Sequence, residues 1–203
     1  MDPLLIDVPT RIVTDRFILR RPLPGDGPVH NEAVCASIDE LRPWLQWAQQ
    51  PPSVEESEAT CRRLHAAFGL RNDLAIFVFE RNADSTEAAL IGGSGLHRID
   101  WQTRRFEIGY WRRSGHDGRG VITETVKALA RTAFDRLGAR RVEIRTDATH
   151  ERSWRVAERA GFTLEGVLRK DSVTPQGKLR DTRVYARVRG DEEPFSVEHD
   201  AGR

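Results

Sequence analysis

The segment Gly115-His116-Asp117-Gly118-Arg119-Gly120 is where residue types and spacing in this 203-residue chain most directly suggest chemistry. It follows a run that alternates at period two and precedes one that repeats at helical spacing. Three glycines let backbone approach a ligand closely, because no Cβ intervenes. A helix beginning right after them offers free amides and the positive end of its dipole, and both favour an anion. A phosphate or pyrophosphate cradle is one reading; a tight strand-to-helix turn with nothing bound is the other. Two common phosphate sites do not fit. Gly115 and Gly120 are separated as in a Walker loop, but Val121 stands where the lysine should be. Gly118-Arg119-Gly120 lacks the third glycine of a dinucleotide fingerprint, Thr123 standing there, and Gly93-Ser94-Gly95 has no helical pattern after it. Cys35 and Cys61 form neither C-x-x-C nor a metal spacing, and they offer no positioned Cys–His pair for covalent catalysis.

These residues need elements to place them. Arg16 to Arg21 reads as a first strand, stopped by Pro22 and Pro24, and residues 26–41 carry a weak helical pattern. Ser53-Val54-Glu55-Glu56 is a capping box. It precedes a helix with Cys61, Leu64, His65 and Phe68 on one face and Gly69 as its stop. The stretches 75–79, 90–97 and 105–111 read as strands. In the last, Phe106, Ile108 and Tyr110 share one face, with Glu107 and Trp111 on the other. Behind the glycines, Ile122, Val126, Ala130, Ala133 and Leu137 mark the buried stripe of a helix that Gly138 ends. A strand follows over 141–146. Thr149 is the expected cap of another helix, which Gly161 terminates. Residues 162–173 and 178–188 read as two strands joined at Pro175-Gln176-Gly177. This order predicts one α/β (α+β) domain over residues 1–189 with seven strands. Residues 190–203 are expected to be a loose acidic tail.

The run Phe106-Glu107-Ile108-Gly109-Tyr110-Trp111, with Gly115 to Gly120 and Val121-Ile122-Thr123-Glu124 after it, resembles the acetyl-CoA-binding core of the GNAT N-acetyltransferases. The segment from Ser153 to Gly166 resembles a second block of that family, S-x-x-v-x-e-k-x-G-F-x-x-E-G. Leu41 to Trp47 and Leu96 to Trp101 are similar to its ribosomal-protein N-terminal acetyltransferase branch, the RimJ/RimL group. The likeness runs from about Thr14 to Val188. It implies a mixed, splayed seven-stranded sheet with helices on both sides. The fourth and fifth strands, near Glu107 to Arg113 and Arg141 to Asp147, would diverge to hold the pantetheine arm of acetyl-CoA. Backbone at Tyr110, Trp111 and Arg112 would bind that arm. The amides of His116, Asp117, Gly118, Arg119, Gly120, Val121 and Ile122 would hold the pyrophosphate.

The activity implied is direct acetyl transfer to a primary amine, most simply a protein N-terminal α-amine. A small-molecule amine, or a non-catalytic acyl-CoA-binding protein that keeps the fold, are the alternatives. Transfer needs a proton acceptor, and the resemblance points to Glu107; pairing with Arg98 or Arg105 is its plain structural alternative. A strand amide near Tyr110 or Trp111 would serve the oxyanion. Ser153 would contact the CoA sulfur, or bond local backbone instead. Relatives often carry Asn where this chain has His150, which puts that cofactor contact in question. Trp44 and Trp47 would roof the acceptor pocket or be core aromatics. His97 and Asp100 are candidates for binding an amine or peptide backbone. Arg119, with Arg113 near it, is placed for a phosphate.

Composition bounds the rest. The 32 basic and 31 acidic residues nearly cancel, to +1. That is unlike a dedicated nucleic-acid binder and unlike an acidic disordered chain. Of the basic residues 29 are Arg and 3 Lys, which follows from codon usage or from sites for planar anions. Residues 98–119 hold six Arg against three acids, a local basic excess at the proposed anion site. No apolar run approaches the roughly 20 residues of a membrane helix, and the first residues lack the charged and apolar regions of a signal peptide. These features predict a reduced, cytoplasmic protein without metal, nucleic-acid or membrane partners, and a possible homodimer.

Overall fold

Alternating apolar residues build one mixed sheet, which occupies most of the computed structural model; the structure describes residues 2–190. The acidic tail expected over 190–203 lies, past Gly190, outside the described residues. The strands are β1 (Arg11–Val13), β2 (Phe17–Arg20), β3 (Leu74–Arg81), β4 (Glu87–Asp100), β5 (Arg105–Arg112), β6 (Arg141–Asp147), β7 (Thr163–Val173) and β8 (Leu179–Val188). Their spatial order is β1-β2-β3-β4-β5-β6-β8-β7. Every pair is antiparallel except β5 with β6. The helices are α1 (Gly27–Cys35), α2 (Ile38–Leu41), α3 (Val54–Gly69), α4 (Val121–Arg136) and α5 (Glu151–Arg159). Among the described residues none is long and apolar enough to cross a membrane, and no group of three His, Cys, Asp or Glu is placed to hold a metal.

Seven strands are expected from the sequence; the eighth is β1. Its three residues carry no buried side chain, so no alternation betrays it, and pairing with β2 makes it a strand. The weak helical pattern over 26–41 resolves into two helices. Ser37 sits between them and donates its hydroxyl to Ala33 O at 2.7 Å, drawing the chain out of the first helix. The capping box is present: Ser53 Oγ accepts from Glu56 N at 3.1 Å, and Glu56 Oε2 from Ser53 N at 2.7 Å. Thr149 is not the cap of α5. Its hydroxyl donates to Asp147 Oδ1 at 2.6 Å, which leaves His150 at the N-cap position.

The core lies where the helical stripe of α4 meets β5. Ile122, Val126, Ala130, Ala133 and Leu137 are all buried, against Phe106 and Ile108. The other face of β5 carries Glu107, Gly109 and Trp111, opposite His97, Gly95 and Gly93 of β4. The Trp111 indole lies over Gly93, where a β-carbon would stand 3.0 Å from Cε2 and closer to Nε1. The indole has nowhere to retreat, because His30 and Trp47 meet it edge-on, each at 6.1 Å. Gly93→Ala is therefore expected to destabilise by about 1–3 kcal/mol through overpacking. Gly69→Ala, in open space at the end of α3, should instead stabilise by about 0.5–1 kcal/mol. Chemical denaturation of the two variants checks both signs.

Candidate active site

The ladder between β5 and β6 is short. It pairs Arg105 with Arg141, Phe106 with Val142 and Glu107 with Glu143, then stops, although the strands continue to Arg112 and Asp147. From Ile108 to Arg112 the edge of β5 faces a widening cleft, and backbone amides and carbonyls along such an edge call for hydrogen-bond partners. At the mouth of the cleft Gly115, Gly118 and Gly120 have φ of 82°, 72° and 69°, a left-handed region that glycine enters freely. Gly120 is the N-cap of α4, and no side chain caps that helix. Its first amides have no acceptor within the helix. Arg16, which no spacing in the sequence singles out, steadies this turn. Its Nη1 donates to Arg119 O at 2.8 Å and its Nε to Glu124 Oε2 at 2.9 Å. Glycine turns ending at an uncapped helix fit a diphosphate, and the open strand edge fits an amide-bearing arm, as acetyl-CoA requires.

The arginines expected to meet a phosphate are turned elsewhere. Arg119 Nη1 pairs with Glu80 Oε1 at 3.3 Å. Arg113 Nη2 pairs with Glu32 Oε1 at 2.6 Å. Arg112 Nη2 joins Asp117 Oδ1 at 2.6 Å and Glu40 Oε2 at 3.4 Å. His116 Nδ1 lies 3.3 Å from Ser114 O. The basic excess of residues 98–119 is thus matched in space by acids from α1, α2 and β3. That leaves the backbone amides at the start of α4 as the donors this turn offers.

Several of the expected site residues meet. Glu107 faces away from the core, half-buried, with Arg98 Nη1 3.3 Å from Oε2. Burial raises its pKa above the ordinary carboxylate value, while Arg98 pulls the other way. A bulge in β4 gives Arg98 a φ of 44° and aims it at Glu107. Tyr110 sends its hydroxyl across the cleft to α5, donating to Ser153 O at 2.9 Å and lying 3.1 Å from Ser153 Oγ. Burial pushes that phenol up to about 12, so it stays protonated. The His150 ring stacks on Trp44, centroids 3.8 Å apart and planes within 12°. Burial lowers the His150 pKa to about 4, so the stacked ring is neutral at physiological pH. Trp47 packs edge-on against Trp111. Asp100 is not brought to this group. Its Oδ1 accepts from the amides of Gln102 and Thr103, at 2.9 and 3.0 Å, and it caps the β4–β5 turn.

A mixed sheet that parts between two parallel strands, with a glycine turn and a bare helix N-terminus at its mouth, defines a class of acyl-CoA-dependent transferases. The comparisons agree. The family model described as acetyltransferase (GNAT) domain matches residues 16–163, and the chain belongs to that family. It is an enzyme that transfers acetyl from acetyl-CoA to an amine nitrogen. Among its relatives is a putative ribosomal N-acetyltransferase of Bacillus subtilis (strain 168), YdaF. That protein is 30% identical over 179 residues, spanning 86% of this chain and 92% of the relative. The ribosomal-protein-serine acetyltransferase of Escherichia coli (strain K12) is 29% identical over 157 residues, 77% and 84% of the two chains. The microcin C7 self-immunity acetyltransferase MccE, solved with acetyl-CoA and AMP, shares the fold at a TM-score of 0.80 and 22% identity. The match covers 89% of this chain and 97% of that one.

Glu107 carries a sign that can be measured. A carboxyl whose folded pKa is raised penalises the folded state once ionised, and the penalty disappears as pH falls through the raised value. Glu107→Gln should therefore raise Tm at pH 7–8, with the difference shrinking as pH falls through the raised value and gone below the ordinary carboxylate range. In the same variant kcat should fall by roughly 10²–10⁴-fold. Thermal melts over pH and CoA-release kinetics check the two outcomes together.

Proposed function

We propose that the chain acetylates the N-terminal α-amine of a protein in the cytoplasm, with Glu107 as proton acceptor and Ser153 as the hydroxyl nearest the leaving sulfur. The observation that carries this reading is the placement of Glu107. It is a half-buried carboxylate on the open face of β5, at the residue where β6 departs and beside the strand edge suited to the cofactor arm. The names of the Bacillus subtilis and Escherichia coli relatives, both ribosomal, support a protein acceptor.

Acetyl-CoA supplies an acyl group already activated as a thioester. Backbone at Tyr110, Trp111 and Arg112 holds its arm, and one of these amides also serves the oxyanion. Amides from His116 to Ile122 hold its diphosphate. Trp44 and Trp47 wall the acceptor side, and His150 braces Trp44 where relatives use Asn for the cofactor. The phenol of Tyr110 has one proton for two acceptors. Given to Ser153 O, it leaves the Ser153 hydroxyl to donate into the phenol. Turned to Ser153 Oγ, it frees the Ser153 proton to point into the cleft.

The test is CoA release with a panel of short peptides starting in Ser, Ala or Thr, set against spermidine and free amino acids. The expected result is turnover of a peptide with kcat/KM at least tenfold above any small amine, and loss of that turnover when the peptide N-terminus is blocked. Preference for a small amine would sink the protein-acceptor reading. Ser153→Ala at full kcat would sink the role given to Ser153. Tyr110→Phe should cost about tenfold in kcat, and nothing further in a Ser153→Ala background, because both act on one proton.

A further inference from the structure

Beside Glu107 stands a second acid–base group that the reaction as described does not use. His97 is the cross-strand partner of Glu107, so both side chains rise from one face of the sheet. Directly opposed residues have β-carbons about 4.5–5.5 Å apart. The imidazole lies flat along the strand rather than standing away from it. A β-carbon at Gly95 would come within 2.7 Å of its Cε1, and one at Gly109 within 3.1 Å of its Cδ2. These two glycines face each other across the ladder and leave a slot one ring wide. Asp73, just before β3, fixes the ring from one end, its Oδ2 2.8 Å from Nδ1. A carboxylate there settles the tautomer: the proton sits on Nδ1 and the lone pair on Nε2. The side chain is 31% exposed, so the ring also reaches solvent. The charged groups around the pair are Asp73, Arg98 next along β4, and Glu143 and Arg145 on β6.

We propose that His97, oriented by Asp73, receives from Glu107 the proton shed by the acceptor amine and passes it to solvent. The proposal rests on Glu107 as the first proton acceptor. An N–H bond of the ammonium breaks and its proton goes to the Glu107 carboxylate. No imidazole nitrogen lies within 4 Å of the Glu107 carboxylate, so the carboxyl O–H breaks to a bridging water, which hands a proton to Nε2, and bulk water removes it from the imidazolium. Ammonium plus thioester becomes amide plus thiol, and one proton leaves per turnover. The Glu107 side chain is 16% exposed and that of His97 31%, so the imidazole has the wider contact with solvent. An imidazole carries one nitrogen that accepts and one that donates, which suits it to passing a proton on. Asp73 is a positioning residue, and its second oxygen is buried without a partner.

His97→Ala opens the slot over Gly95 and Gly109. With the acceptor that the panel returns, kcat is expected to fall about tenfold or more, while KM for acetyl-CoA stays within about twofold. Added imidazole should then restore kcat saturably, and 4-methylimidazole more than the less basic 1,2,4-triazole. His97→Gln fills the slot without a titrating group. It should melt like the wild type and still lose kcat, which separates the relay from a packing role. Asp73→Asn should lose about threefold. An unchanged His97→Ala, or a slow one that no azole recovers, overturns the relay while Glu107→Gln remains slow. Glu107→Gln at full kcat overturns the reading beneath it instead.

Discussion

The parting of β5 from β6 after the Glu107–Glu143 pair is the constraint on which the rest depends. A parallel ladder that stops in mid-sheet leaves backbone groups that either ligand or water must satisfy. One hydroxyl bridges the opening. Tyr110 rises from β5 on the core side and reaches the first turn of α5 at Ser153. The strands therefore diverge with Tyr110 spanning the gap on the core side, while Glu107 stands on the other face. Everything with chemistry on it lies along that line: Glu107 at the fork, the strand edge from Ile108 to Arg112, and the glycine turn beyond.

The face of β4 and β5 turned away from α4 is built from flatness. Gly93, Gly95 and Gly109 remove three side chains from adjoining positions of β4 and β5, and two rings fill the space, Trp111 and His97. Trp111 in turn connects to α1 and to the segment after α2, edge-on to His30 and Trp47, and His30 stacks on Phe77 at 5.1 Å. The His30 ring is neutral, its pKa lowered to about 4 by burial. On the other side of the cleft the Trp44–His150 stack ties the segment after α2 to the start of α5. Asn would give that position a hydrogen bond to offer; a neutral His gives it a ring face. The substitution exchanges a polar contact for a brace between roof and cleft wall.

Much of this was legible in the sequence because it depends on local rules. The capping box at Ser53, the stripe of α4 and the alternation of β5 each follow from side-chain periodicity, so Glu107 could be placed opposite the core before any coordinates. The glycine turn and the helix behind it were legible for the same reason. What stayed hidden is set by register and long-range pairing. No spacing tells that Arg16 reaches Arg119 and Glu124, that Asp73 anchors His97, or that Asp100 spends its carboxylate on a turn. The phenol of Tyr110 read as one more core aromatic, because its polar end meets a partner 43 residues on.

The arginines show how far a linear count can mislead. Six Arg against three acids over residues 98–119 suggest a basic surface waiting for a phosphate. In space Glu32, Glu40, Glu80 and Asp117 meet three of them. Such exposed pairs add little stability, but they leave the turn close to neutral. What remains for an anion is a set of amides whose direction is fixed by three left-handed glycines and by the helix dipole. A site made of backbone asks for glycines at the turn and for a helix after it, and for little else. Side chains take over at the fork, where Glu107 stands on the open face of β5, and beyond it on the core side, where Tyr110 meets Ser153.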